Sequence, residues 1–242
     1  MKKNIRRFFR ALGYDIKKIS SATAPIEYLA KSLIAHKIQV VVDIGANQGQ
    51  FAKGLRKAGY LGEIISFEPL MDAHKVLLEE SRHDSNWHIH ERIAIGEFNG
   101  TAEINVSKNS VSSSLLSIKD LHVEAAPNSA YCRTESISVA KLDDVLHQYQ
   151  VVAQNYFIKI DVQGYEKNVL AGAINSLAHA SGIHCELSLV ELYEGEELWQ
   201  GMLNKFSDLG YELWSIERGL TKSRNGRVLQ IDVTLFRKSI AY

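Results

Sequence analysis

Residues 40–50, Val-Val-Val-Asp-Ile-Gly-Ala-Asn-Gln-Gly-Gln, constrain the fold of this chain more than any other stretch. Four β-branched residues, Val40, Val41, Val42 and Ile44, surround one carboxylate, Asp43. So short and apolar a run predicts a strand covered on both faces, as in a parallel sheet. Gly45-Ala46-Asn47-Gln48-Gly49 then makes a tight turn where a ligand can approach the backbone. Phe51, Leu55 and Ala58 recur at helical spacing, so a helix is expected from near Gly49 to near Gly59. Strand, glycine turn and helix together aim the N–H groups of a helix start at a ligand. The spacing Asp43-x-Gly45-x-Asn47-x-Gly49 lacks the third glycine of the dinucleotide fingerprint. An acid at the strand end suits a ligand with a cationic amine better than a bare pyrophosphate.

The pattern of a buried strand ending in an acid repeats. Residues 63–67 read as a second strand closed by Glu68-Pro69, the proline holding Glu68 in extended geometry. Glu68 follows Asp43 by 25 residues, a distance at which an acid commonly binds the ribose hydroxyls of an adenosine-bearing cofactor. Residues 72–81 predict a helix, and 87–95 a third strand ending in Ala94-Ile95-Gly96. Residues 101–108 and 135–140 alternate as further strands, while the serine-rich stretch 107–127 is either a loop over the ligand or a linker. Residues 156–161 form another buried strand with an acid, Asp161, at its end, and Gly164 turns the chain. Val169, Leu170, Ala173, Ile174 and Leu177 supply the buried face of one helix. Residues 182–190 read as the fifth main strand, carrying Glu186; 194–209 as a helix; 211–217 and 228–237 as two terminal strands. Alternating strands and helices imply an α/β, doubly wound, mostly parallel sheet, with ligands at the carboxyl ends of its strands. Asp43, Glu68 and Asp161 all fall at such ends.

Charge is balanced overall, with 28 basic and 28 acidic residues, so the whole chain carries no nucleic-acid signature. It is unevenly spread. Residues 1–20 hold seven basic residues and one acid, a net +6, which leaves the rest at −6. Ile5, Phe8, Phe9, Leu12, Ile16 and Ile19 recur at helical intervals among those charges, with Gly13 interrupting them. This amphipathic arm either packs on its own domain or a partner subunit, or meets a membrane surface. Residues 25–37 predict a second helix. No apolar run reaches the ~18 residues of a membrane span, and the basic start lacks the apolar region of a signal peptide. Two cysteines, Cys132 and Cys185, are expected as reduced thiols of a cytoplasmic protein. The nine histidines show no zinc spacing, and His88 and His90 alternate on a strand as surface residues would.

The ordered set Val42-Asp43-Ile44-Gly45-Ala46-Asn47-Gln48-Gly49, Phe67-Glu68-Pro69, Leu142-Asp143 and Lys159-Ile160-Asp161-Val162-Gln163-Gly164-Tyr165-Glu166 resembles the FkbM family of S-adenosylmethionine-dependent methyltransferases. The stretches 186–195 and 226–232 resemble one branch of it, and the likeness spans about residues 38–237. It implies a class I methyltransferase fold: a Rossmann-like seven-stranded sheet with an antiparallel last strand. The chain then divides into a basic arm, residues 1–37, and a cofactor-binding domain, 38–242. S-adenosylmethionine carries the ammonium, sulfonium and carboxylate that such a strand-end acid suits. By the resemblance, Asp43, Gly45 and Gly49 line its methionine part, Glu68 meets its ribose and Ala94-Ile95 its adenine. Asn47, Pro69 and Asp161 join that set.

The resemblance also implies O-methylation of a sugar, glycan or natural-product hydroxyl. The commoner family form has Glu where Gln163 stands, so a base must come from elsewhere. Asp161 is the first candidate, then Glu186, then His184, while Lys159 shares the strand face of Asp161. No metal is required, and a Mg²⁺ held by Asp161 stays an open alternative. Three competing classes exist. An NAD-dependent oxidoreductase shares the first strand–turn–helix unit but needs the missing glycine. A nucleic-acid amino-methyltransferase commonly carries a Pro-Pro turn, which the three prolines Pro25, Pro69 and Pro127 do not form. A non-catalytic module would use the same fold to recruit a partner through its basic arm.

Overall fold

The computed structural model describes residues 2–14, 24–149, 151 and 155–238. Its strands are β1 (Val40–Ile44), β2 (Glu63–Phe67), β3 (Trp87–Ile89), β4 (Ala94–Ile95), β5 (Gly100–Ser107), β6 (Tyr131–Ala140), β7 (Tyr156–Ile160), β8 (Gly182–Ser188), β9 (Tyr211–Arg218), β10 (Thr221–Lys222), β11 (Arg227–Val228) and β12 (Gln230–Arg237). Seven of them build the main sheet in the order β3-β2-β1-β7-β8-β12-β9. Neighbours run parallel except at β12, which is antiparallel to both β8 and β9. This is the doubly wound sheet with an antiparallel last strand that the sequence predicts.

Each face of the sheet has its own core. Val42, Ile65, Ile158 and Ile183 point to one side, against Leu142, Val169, Met202 and Phe206. Val41, Ile64, Phe157 and Phe236 point to the other, against Leu29 and Leu33 of the helix Pro25–Ala35 and Leu55 of the helix Gln50–Lys57. On that second face the strands turn polar toward the carboxyl ends of β1, β2 and β7. Ser66, Asp43, Lys159, His184 and Thr234 stand in register on five adjacent strands, β2, β1, β7, β8 and β12. They form one buried polar row across an otherwise apolar surface.

Three local expectations are corrected and one open choice is narrowed. Residues 87–95 are not one strand: β3 stops at Ile89, and Ala94–Ile95 pairs with Val139 and Ala140 in a separate sheet of order β4-β6-β5. Residues 101–108 and 135–140 fall mostly within β5 and β6 of that second sheet. The helix expected through Val169 and Leu177 is two, Glu166–Ala171 and Ile174–His179. Gly172 passes so close to Gly96 that an added Cβ would stand 1.8 Å from its carbonyl oxygen, and the break leaves Ile174 63 % exposed. The helix expected from 194 begins only at Trp199, because Glu196 accepts the N–H groups of Leu192 and Tyr193 in a turn. Of the two readings left open for 107–127, the structure excludes a bare linker and agrees with a segment lying over the site. It contains the helix Asp120–Ala125, and Ser110, Val111, Ser113 and Leu115 line the main cavity.

The N-terminal helix Lys2–Ala11 presents Phe8 to solvent, and Leu12 and Tyr14 beyond it are exposed as well. Ile16 and Ile19, expected on its stripe, lie outside the described residues. No helix among the described residues is long and apolar enough to cross a membrane.

Candidate active site

A cavity of about 400 Å³ opens at the carboxyl ends of β1, β2, β7 and β8 and the amino end of the antiparallel β12. Three acids line it: Glu68, Asp161 and Asp232. Its walls between them are apolar, with Phe51, Ile93, Ala94, Ile95, Ile104 and Leu115.

The glycine turn after β1 builds one end. Gly45 has φ +77°, and a Cβ there would stand 1.9 Å from the carbonyl oxygen of Asp161, so no side chain fits. Asn47 also takes a positive φ, +47°, and its N–H donates to Glu68 Oε2 at 2.7 Å. Glu68 Oε1 accepts the N–H of Leu70 at 2.8 Å. One carboxylate thus ties the β1 turn to the β2 turn. Burial raises Glu68 to about 7, against the pull of those two N–H groups and of Lys159. Gly49 is the left-handed residue that starts the helix Gln50–Lys57. It does not line the cavity; a Cβ there would meet Trp87 at 2.6 Å. Pro69, Ala94 and Ile95 do line it.

Asp43 lies beneath the floor and not in it. It is fully buried, with Oδ1 3.0 Å from Lys159 Nζ and Oδ2 accepting from Ser66 Oγ at 3.4 Å. Strand alternation puts it under the helix beside Val41, so the group that reaches the cavity is the lysine opposite. Lys159 Nζ also donates to the carbonyl of Gly45 at 2.8 Å and sits 3.8 Å from Asp161 Oδ2. Burial works against its charge, but Asp43 and Asp161 outweigh it and hold the ammonium above its ordinary value.

The three residues considered as bases separate sharply. Asp161 faces the cavity and is 38 % exposed, and its Oδ1 accepts from Gln163 Nε2 at 2.8 Å. Glu186 does not line the cavity; its Oε2 accepts from Gln163 Nε2 at 2.7 Å and Gln230 Nε2 at 2.8 Å. Burial, Asp161 and Asp232 push its carboxyl well up. His184 lies in the floor, its ring against Phe51, with Nδ1 3.0 Å from Thr234 Oγ1. Burial and Lys159 lower it to about 4, which leaves a neutral and weakly basic imidazole.

Gln163 is the joint of this end. It has φ +59°, its amide N–H₂ reaches two carboxylates, and its Oε1 accepts the hydroxyl of Tyr193 at 2.8 Å. Gly164 follows with φ +92° against Tyr193, and Glu166 closes the turn by accepting the N–H groups of Val162 and Gly164. Asp232 closes the stretch 226–232 that resembles one branch of the family, but the sequence reading gives it no role in the site. It falls in a run that looks like an ordinary terminal strand, and only its two-residue spacing from Gln230 and Thr234 hints at a shared polar face. No cluster of three or more metal-ligating side chains exists among the described residues.

A model of the Methyltransferase FkbM domain matches residues 43–213. The chain belongs to the FkbM family of S-adenosylmethionine-dependent methyltransferases. That membership sets aside the oxidoreductase alternative. No curated protein matches this FkbM methyltransferase in sequence. Among solved structures it is similar to a magnesium protoporphyrin IX methyltransferase from Synechocystis PCC 6803 with bound SAM, at 11 % identity over 98 % of this chain and 97 % of that one, TM-score 0.47. It is also similar to a 1,6-didemethyltoxoflavin-N1-methyltransferase from Burkholderia thailandensis, at 9 % identity over 90 % of this chain and 80 % of that one, TM-score 0.47.

Proposed function

We propose that this enzyme methylates a hydroxyl group of a sugar, glycan or natural product, with S-adenosylmethionine as donor. The observation that carries this is the cavity itself: acids at both ends, an apolar waist, and a second, amide-bridged acid group beside the end away from Glu68. The residues fit the cofactor. A carboxylate has about four lone-pair sites, and Glu68 spends two on N–H groups, so two remain for ribose hydroxyls. Ala94 and Ile95 offer a flat apolar wall for adenine, beside Pro69 and the backbone of Gly45 and Asn47. Asp161 suits the cationic end of the cofactor. Asp43 acts through Lys159, which holds the carbonyl of Gly45 and so the shape of the turn. When bound, S-adenosylmethionine supplies an electrophilic methyl group on a sulfonium. The chain's own task is to align an oxygen with it at ~3 Å and to accept a proton.

A coupled assay of S-adenosylhomocysteine release over sugars, glycans and natural-product alcohols tests the reading. Turnover with a hydroxyl acceptor is expected; turnover with amines or nucleic acid alone refutes it. A second reading concerns the helix Lys2–Ala11. Exposed Phe8, Leu12 and Tyr14 stand among arginines, with no acid in residues 2–14, which suits the anionic surface of a membrane.

A further inference from the structure

We propose that Asp232 is the catalytic base of this enzyme, its carboxylate taking the hydroxyl proton of the acceptor. The assignment rests on the hydroxyl-acceptor reading above and names the residue that serves it.

Place is the first support. Asp232 stands on β12, four strand positions from β2, at whose end Glu68 sits. At ~4.8 Å per strand these ends of the cavity are roughly 19 Å apart. An adenosine-bearing ligand anchored at Glu68 leaves the Asp232 end to a second molecule. Availability is the second. Glu68 holds two N–H groups, and Asp161 is engaged by Gln163 and Lys159. The carboxylate of Asp232, half-buried in the cavity wall, has no hydrogen bond or ion pair among the described residues. An acid in that state is open to a donor brought by a ligand.

Rigidity is the third. Asp232 stands in register with Glu186, which two amides hold, and its same-face neighbour Thr234 is tied to His184. The flanking groups are satisfied, so the base is fixed without being used. The charges around it complete the case. Glu186 and His184 face it from β8, Glu217 from β9, Lys159 from β7 and Asp161 from just past its end. Burial, then Asp161 and Glu217, push the carboxyl up to about 7, and Lys159 only partly opposes them. A base is most effective with its proton affinity near the working pH.

The step balances. The acceptor oxygen forms its bond to the methyl carbon with a lone pair, and it recovers the O–H pair as the proton passes to Asp232. The carbon–sulfur bond breaks and its pair stays on sulfur, so the sulfonium charge and the carboxylate charge disappear together.

Three measurements test this. S-adenosylhomocysteine is titrated calorimetrically into wild type, Asp232→Asn and Asp161→Asn. Asp232→Asn should bind within about threefold of wild type, and Asp161→Asn at least about tenfold more weakly. In wild type labelled with ¹³C at the aspartate carboxyls and saturated with S-adenosylhomocysteine, the signal missing from Asp232→Asn should titrate between about pH 6 and 8. With a panel of methyl glycosides as acceptors, wild-type turnover should fall at least ~10²-fold in Asp232→Asn. A tenfold loss of S-adenosylhomocysteine affinity in Asp232→Asn, a midpoint below pH 5, or unchanged turnover overturns the base while leaving the methyltransferase intact. A wild type that binds S-adenosylhomocysteine and methylates no glycoside refutes the sugar reading and the base with it.

Discussion

Gly45 is where two stretches of backbone leave no space for a side chain. Its φ of +77° strains any other residue, and a Cβ would overlap the carbonyl of Asp161. Gly45→Ala should lower stability by about 1–3 kcal/mol, a fall in Tm of roughly 2–12 °C, and weaken S-adenosylhomocysteine binding with it. Calorimetry and a melting curve on the same sample measure both. Glu68→Ala removes charge-assisted hydrogen bonds worth roughly 1.5–3 kcal/mol, so S-adenosylhomocysteine should bind about one to two decades more weakly. Equal affinities would remove Glu68 from the ribose site. Residues of this kind were legible because each acid ends a β-branched run. The direction of Asp43 was not, because its partner Lys159 arrives on a strand far along the chain. Asp232 was hidden for a different reason: β12 has no glycine turn after it, and nothing local separates an acid that lines a cavity from one on an ordinary strand.

At the scale of elements, the motif pair Leu142-Asp143 proves to be a helix cap acting at a distance. Asp143 accepts the N–H groups of Asn175 and Ser176 and the hydroxyl of Ser176, at 2.9, 2.8 and 2.7 Å. Asp143→Ala should cost about 0.5–2 kcal/mol, a shift of roughly 1–8 °C in Tm, with S-adenosylhomocysteine affinity unchanged. A change in affinity larger than in stability would show that the cap also shapes the cavity. The main strands could be read from sequence because both faces are apolar and each ends at a turn signal. The second sheet and the split helix could not. β4 is two residues whose pairing is decided by β6, and the break at Gly172 comes from Gly96, a residue distant in sequence.

At the scale of the whole molecule, pH and surface charge give two further expectations. Burial holds Glu68 at about 7, Glu166 at about 8 and Asp232 at about 7. Between the ordinary carboxyl range and these values the folded state keeps protons that the unfolded chain has released, so stability falls as pH rises. His122 and His184, lowered to about 4 by burial, act with the opposite sign, but only below their ordinary 6.5. Above that the buried acids act alone, and Tm should drop from pH 6.5 to 8.5; a rise across that window would contradict their burial. The second expectation belongs to the basic arm. Deleting residues 1–20 should abolish binding to phosphatidylglycerol vesicles and leave the domain folded. An arm that never binds vesicles, or whose loss unfolds the protein, is a packing element instead.

The polar row Ser66–Asp43–Lys159–His184–Thr234 also bears on how the sheet assembles. Side chains alternate along a strand, so a slip of one residue in any pairing would swing that strand's polar member into the opposite, wholly apolar core. For Lys159 or Asp43 the result is a buried charge with no counterpart, an error worth several kcal/mol. The apolar valines and isoleucines around them would tolerate such a slip far better. The row should therefore penalise misaligned pairings during folding, and the lysine that carries most of that penalty also stands in the floor of the cavity.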